Sequence, residues 1–161
     1  MKKTYLTIFL TVLVFASFAQ SKSSRVSIGL EAGLPVGVNG KPYSSIFGGS
    51  LQYEHMSSPD LGITLSGGYL NWALKSSYGS GSIGFVPLLA GFKYYVNPKV
   101  FFHGQLGAAI GTSRGQGTSF AYAPGIGFAF SQAVDLEIKY MGISNKGGTL
   151  GEAGLRLAYN F

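Results

Sequence analysis

From Val26 onward, apolar and polar residues alternate with a period of two, and the alternation recurs to the end of the chain. In the first segment Val26, Ile28, Leu30, Ala32 and Leu34 fall on one face, and Ser27, Gly29, Glu31 and Gly33 on the other. This is strand patterning, and about nine residues is the length a tilted strand needs to cross a bilayer. Seven further segments follow at 47–54, 61–69, 86–96, 100–110, 119–130, 134–140 and 152–161. Pro87 and Pro124 lie inside two of them, and since proline cannot donate to a ladder, local bulges are expected there. The connections alternate in length. Met56 to Asp60, Asn97 to Lys99 and Ser131 to Ala133 read as tight turns, and Pro35 to Ile46, Leu70 to Gly84, Gly111 to Thr118 and Ile143 to Gly148 as longer loops. Short turns on one side and longer loops on the other, with an even strand count, are the arrangement of an outer-membrane barrel. The first connection is long, which puts both termini on the periplasmic side.

Alternation alone does not say which face meets lipid, because a soluble sandwich or barrel would turn the same apolar face inward. Three features favour lipid outside. Aromatic residues assigned to the apolar face gather toward segment ends: Phe47, Tyr69, Trp72, Phe85, Phe120, Tyr122 and Tyr140 at one rim, and Tyr53, Tyr94, Phe102, Phe128, Phe130, Tyr159 and Phe161 at the other. Two such girdles suit amphipathic rings at headgroup level. The opposite face is rich in Gly, Ala and Ser, above all in the sixth segment, whereas a water-facing surface needs more charge. The charges on that face, Glu31, Lys93, Asp135, Glu137, Lys139, Glu152 and Arg156, are of both signs and fall mid-strand. Pairing in the last hairpin allows Arg156 opposite Glu137 or Asp135, and Lys139 near Glu152. His103 is expected to line the lumen opposite Lys93. Buried ions must be paired or each costs several kcal/mol.

The N-terminal stretch changes the picture of location. Lys2 and Lys3, an apolar run from Tyr5 to Phe15, and small residues before Ala19-Gln20 predict a signal peptide over 1–19, cleaved after Ala19. A short leader over 20–24 and a single barrel over 25–161 follow. Cleavage removes Lys2 and Lys3, so the net charge of +6 falls to +4. Charged residues are only 11% of the chain, against about 25% in soluble domains. A chain this poor in charge, with no long apolar run after the signal peptide, has one way to face lipid, a closed barrel. The predicted fold is therefore all-β, an eight-stranded antiparallel up-and-down transmembrane β-barrel. The absence of cysteine removes disulfides, thiolate metal sites and a lipoprotein anchor. The scattered basic residues form no nucleic-acid footprint.

The signal peptide ending Ala19-Gln20, FVPLLAGFKYYV (85–96), YAPGIGFAF (122–130) and the terminal LRLAYNF together resemble short outer-membrane β-barrels of the porin family, OmpA-like and of the Bacteroidetes type. The resemblance covers about Arg25 to Phe161. It implies an integral outer-membrane protein in contact with outer-membrane lipids. It also implies that Leu155, Leu157, Tyr159 and Phe161 form a C-terminal signal bound by the barrel assembly machinery during insertion. No peptidoglycan-binding domain of the kind that follows OmpA barrels is expected after Phe161.

Candidate chemistry is sparse. His55 and His103 are too few for a His-rich metal site, and no cofactor is expected. His55-Met56-Ser57 has the spacing of a membrane-embedded lipid A deacylase pair, in which His activates Ser, but it falls at a periplasmic turn, away from an outer-leaflet substrate. Asp135 and Glu137 share a strand face, yet Lys139 and Arg156 nearby make them a salt-bridge network rather than an acid–base pair. Gly125-Ile126-Gly127 and Gly147-Gly148 lack the strand-to-helix setting of a phosphate loop. The expectation is a non-enzymatic, monomeric scaffold of the envelope presenting short extracellular loops. A narrow pore or small-molecule carrier, using the small-residue wall of the fifth and sixth segments, and an adhesin or ligand binder, using the first two long loops, are the alternatives.

Overall fold

The computed structural model describes residues 23–113 and 115–161, and the expected signal peptide lies outside the described residues. Eight strands, β1 (Ser24–Val36), β2 (Tyr43–Ser58), β3 (Leu61–Leu74), β4 (Ser82–Tyr95), β5 (Val100–Gly111), β6 (Thr118–Ala129), β7 (Val134–Asn145) and β8 (Gly148–Asn160), follow one another around a closed barrel. Every neighbouring pair is antiparallel, and β1 closes on β8 through the register Ser27↔Asn160 to Val36↔Gly151. Closure leaves no free edge, so each strand pairs with a neighbour on both sides, as a spanning structure in lipid requires. No helix among the described residues is long and apolar enough to cross a membrane.

The strands run further than the alternation suggested. Ser24, expected in the leader, opens β1, and β2 begins at Tyr43 rather than beyond Ile46. The connections at one end therefore shrink to 37–42, 75–81, 112–117 and 146–147. The expected long loop from Ile143 to Gly148 is a two-residue turn, as tight as the 59–60 turn at the other end. The expected bulges at Pro87 and Pro124 are not found. The β3–β4 ladder lapses between Gly67↔Leu88 and Leu70↔Phe85, and the β6–β7 ladder between Tyr122↔Gly142 and Gly125↔Lys139, with register kept across both gaps. Losing a donor costs a rung without inserting a residue. The register shifts lie instead in β2–β3, between Tyr43/Ser45 and Met56/Ser58.

Facing is inside-out relative to a water-soluble protein. Mid-strand Leu30, Leu65 and Leu106 are 60–70% exposed, while Lys93, Glu137 and Arg156 are at most 2% exposed. No soluble sandwich would leave those leucines in water and bury those ions, since mid-strand leucine burial is its main driving force. Outward aromatics meet in pairs at both rims: Phe120–Tyr122 and Tyr122–Tyr140 with centroids 6.1 and 6.0 Å apart at one, Phe128–Phe130 and Tyr159–Phe161 at 5.3 and 5.1 Å at the other. Trp72 and Phe85, expected in the first girdle, are corrections: both are buried in the lumen. Parity explains this. β3 and β4 continue through these positions, and each is one residue out of step with the outward Tyr69 and Val86.

Candidate functional site: the barrel lumen

Three polar clusters and one apolar plug fill the interior. At the centre, Glu31 of β1 faces Arg156 of β8 directly across the ladder. Lys139 Nζ lies 2.6 Å from Glu31 Oε2 and Arg156 Nε 3.7 Å from Oε1, with the Ser50 hydroxyl donating to Oε1 at 2.7 Å. Arg156 donates further to Ser50 Oγ (2.9 Å) and Ser27 Oγ (3.0 Å). Two cations and one hydroxyl donor on one carboxylate let Coulomb attraction offset part of the desolvation cost. Lys139 and Arg156 thus share Glu31, although Lys139 also lies near Glu152 as expected. Glu137 does face Arg156 in the β7–β8 register, but Arg156 turns across β1 to Glu31.

Glu137 pairs instead with His103, whose Nδ1 lies 3.0 Å from both carboxylate oxygens, while Nε2 meets Thr64 Oγ1 at 3.0 Å. His103 does sit opposite Lys93 in register. Lys93 reaches toward the terminal end, 3.4 Å from Glu54 Oε2 and 4.4 Å from the centroid of the Phe101 ring. That third cluster was not foreseen. Arg25 grips Glu54 with a two-pronged contact, Nε to Oε2 at 3.2 Å and Nη2 to Oε1 at 3.1 Å, and the Tyr95 hydroxyl donates to Oε1 at 2.7 Å while accepting from Arg25 Nη2. Glu54 and Tyr95 were legible as inward positions, but the approach of Arg25 from β1 depends on register across β1–β2, which periodicity does not supply. Asp135 accepts from Asn160 Nδ2 at 2.9 Å. Glu152 is fully buried, and neither of its carboxylate oxygens has a hydrogen-bond partner among the described residues.

The loop-side half of the lumen is apolar. Ile46, Leu70, Trp72, Phe85, Leu89, Met141 and Ile143 pack with Ala109, Ala121 and Ala123, and Trp72 sits edge-on to Tyr43 and Phe85 at 5.5 and 6.2 Å. The small-residue wall of β5 and β6 therefore does not line a passage; it receives large side chains from the other walls. A Cβ on Gly127 would fall inside the Phe101 ring, and one on Gly125 would stand 3.0 Å from Lys139 Cβ. The mid-lumen cavity between Glu31, Gln105, Lys139 and Arg156 is about 10 Å³, whereas recesses of about 390 and 250 Å³ open at the terminal-end mouth beside Arg25, Tyr95 and Asp135. Leu155, Leu157, Tyr159 and Phe161 are outward and exposed on the lipid side of β8 and just past its end. His55 does not meet Ser57: its Nδ1 lies 2.8 Å from Ser24 Oγ, which is 3.0 Å from the Tyr53 hydroxyl. Among the described residues no group of three potential metal ligands converges.

No protein-family model matches the chain, and no curated protein matches it by sequence. Solved structures do. The attachment invasion locus protein Ail of Yersinia pestis matches at TM-score 0.63 and 26% identity, covering 86% of this chain and 98% of Ail. The N-terminal β-barrel domain of Pseudomonas aeruginosa OprF matches at TM-score 0.61 and 18% identity, over 88% of this chain and 100% of that one. The de novo designed transmembrane barrel TMB2.3 matches at 0.60 and 19%, over 87% and 96%. With the inside-out burial, these likenesses make the chain an integral outer-membrane β-barrel of the small eight-stranded kind, similar to OmpA-like barrels.

Proposed function

We propose that this barrel is a sealed, non-enzymatic, monomeric scaffold that holds short loops at the cell surface, with both termini in the periplasm. The observation that carries the reading is the filled middle of the lumen, where about 10 Å³ of free space is room for roughly one water molecule. An eight-stranded barrel is just wide enough for side chains to fill, and here ion clusters fill one half and an apolar plug the other. The mid-lumen charges are engaged mainly with one another, and nothing larger than water fits between Glu31, Lys139 and Arg156; the recesses of about 390 and 250 Å³ beside Arg25, Tyr95 and Asp135 lie at the terminal-end mouth and stop at this layer. Orientation is supported by the connections. Those at 37–42, 75–81 and 112–117 are longer than the turns at 59–60, 96–99 and 130–133, although 146–147 is short. The outward Leu155, Leu157, Tyr159 and Phe161 are where the barrel assembly machinery would bind, and the lipid-facing leucines meet the hydrocarbon.

Planar-bilayer recording tests the seal. The expected trace is flat at ±100 mV, and stable single-channel steps from purified protein would replace the scaffold with a pore.

A further inference from the structure

We propose that the connections 37–42, 75–81 and 146–147 form one docking surface for an extended acidic polysaccharide. Each carries a single exposed lysine, Lys41, Lys75 or Lys146, and no acidic residue occurs in any connection at this end of the barrel. All six acidic residues of the chain are elsewhere: Glu31, Glu54, Asp135, Glu137 and Glu152 are buried in the lumen, and Asp60 is in a turn at the far end. The three connections are consecutive around the rim and tied together. Asn39 Nδ2 donates to the Thr149 carbonyl at 3.2 Å, and the Lys75 amide to the Pro42 carbonyl at 2.9 Å. The backbones that carry Lys41 and Lys75 are therefore joined before any ligand arrives, which lowers the ordering cost of binding.

Spacing selects the class of ligand. Strands lie 4.7–4.9 Å apart, so connections at the same end, two strands apart, are separated by about 10 Å. A single phosphate or carboxylate reaches one lysine, whereas a chain with charges along its length reaches all three. Tyr78, 61% exposed, is held beside Lys75 by the hydrogen bond its backbone N–H donates to the Lys75 carbonyl (2.9 Å) and offers a flat apolar face of the kind sugar rings stack on. Phosphates in the plane of the leaflet meet a different surface. Between the aromatic girdle and the loop tips the outward residues include Ser45, Asn71, Thr118 and Ser144, all uncharged. This favours a polymer lying over the tips rather than a lipid headgroup at their base.

The proposal rests on the reading that puts this end outside the cell, and two separate assays keep the two apart. Purified full-length barrel in zwitterionic nanodiscs is run over immobilised dextran sulfate and, in parallel, uncharged dextran. Retention on dextran sulfate alone, released as salt rises toward 1 M where screening acts within about 3 Å, is the expected result. A Lys41→Gln/Lys75→Gln/Lys146→Gln variant, checked for folding by heat-modifiability, should bind at least about tenfold more weakly, as three lost surface ion contacts imply. Lys99→Gln, at the opposite end, should bind as the parent does. Equal retention by the triple variant, retention on uncharged dextran, or loss of binding once lipopolysaccharide is added to the nanodiscs would each overturn the proposal, the last by assigning the lysines to leaflet phosphates. Orientation is read independently. Because the chain has no cysteine, Lys146→Cys labelled by an impermeant maleimide on whole cells reports only this end. Labelling without dextran sulfate binding sinks the docking surface and leaves the orientation standing. Binding without labelling upholds the polyanion surface and sinks the orientation.

Discussion

Replacing Glu31 by methionine should be among the most damaging single changes in the lumen, and a second substitution should partly repair it. Glu31 is the shared partner of Lys139 at 2.6 Å and Arg156 at 3.7 Å, and the side chains of all three are at most 4% exposed. Removing it leaves two buried cations facing each other, and breaking a buried pair costs about 3–5 kcal/mol. At 1.4 kcal/mol per decade, that lowers the folding equilibrium by about two to three and a half orders of magnitude. Lys139→Met alone should cost less, about 2–3 kcal/mol, because Glu31 keeps Arg156 and the Ser50 hydroxyl. In the Glu31→Met/Lys139→Met double variant the remaining Arg156 retains Ser50 and Ser27 as acceptors, so the loss should return to about 1–3 kcal/mol. The coupling energy is then about 4–5 kcal/mol, well above what independent sites show. Urea unfolding from lipid vesicles measures it, with the chain's one tryptophan, Trp72, as a buried fluorescent reporter. A double variant as destabilised as the sum of the two singles, to within about 0.5 kcal/mol, would refute a paired network and make these residues independently solvated.

Three other changes test different parts of the barrel. Gly127→Val places side-chain atoms where the Phe101 ring sits and should cost about 1–3 kcal/mol by overpacking; Phe101→Ala in the same chain should relieve it in the same urea titration. Trp72→Ala should cost about 3–5 kcal/mol by circular-dichroism melting yet leave the bilayer silent, because the Glu31–Lys139–Arg156 layer still blocks the lumen; adding Arg156→Ala should produce conductance. Phe161→Ala should slow insertion by reconstituted assembly machinery while leaving spontaneous folding into detergent unchanged, since the ring is outward, 65% exposed, and packs mainly on Tyr159.

Most of the architecture was legible because barrel strands keep a two-residue period, broken here only at the two register shifts of β2–β3 among the described residues. Once Val26 to Leu34 was phased, the facing of Glu31, Lys93, His103, Asp135, Glu137, Lys139, Glu152 and Arg156 followed, and all of them lie inside. The strand ends were less legible. Ile46, Trp72 and Ile143 lie in stretches where Gly, Ser and Asn dilute the alternation, so the loops looked longer than they are and Trp72 was set on the wrong face. Partner choice was the least legible layer. Sequence spacing suggests Arg156 with Glu137 because both belong to one hairpin. The competing partner, Glu31, arrives only when β1 closes on β8, the pairing with the greatest separation along the chain. Arg25 with Glu54 needed the same kind of information, the register between strands rather than the pattern within one.

The same narrowness that seals the lumen also explains its composition. Each large inward side chain has to be matched by an absence on a facing wall. The space a Cβ would take at Gly127 holds the Phe101 ring, that at Gly29 the Arg156 guanidinium, and that at Gly33 the Glu152 carboxylate. These glycines are consequences of filling, and filling is set by strand number, since eight strands enclose about the volume that their own side chains occupy. It follows that no single substitution turns this barrel into an aqueous pore. Removing Arg156 leaves the apolar plug, and removing Trp72 leaves the ion layer. Selection for transport would have to open both halves while keeping Lys93, Lys139 and Glu137 paired. Without such opening, specificity has to reside where side chains are not committed to filling, on the lipid face and at the loop tips. There Lys41, Lys75, Lys146 and Tyr78 project from a rigid rim and can be exchanged at little cost in stability, because surface changes away from packed features shift it by no more than about 0.5 kcal/mol.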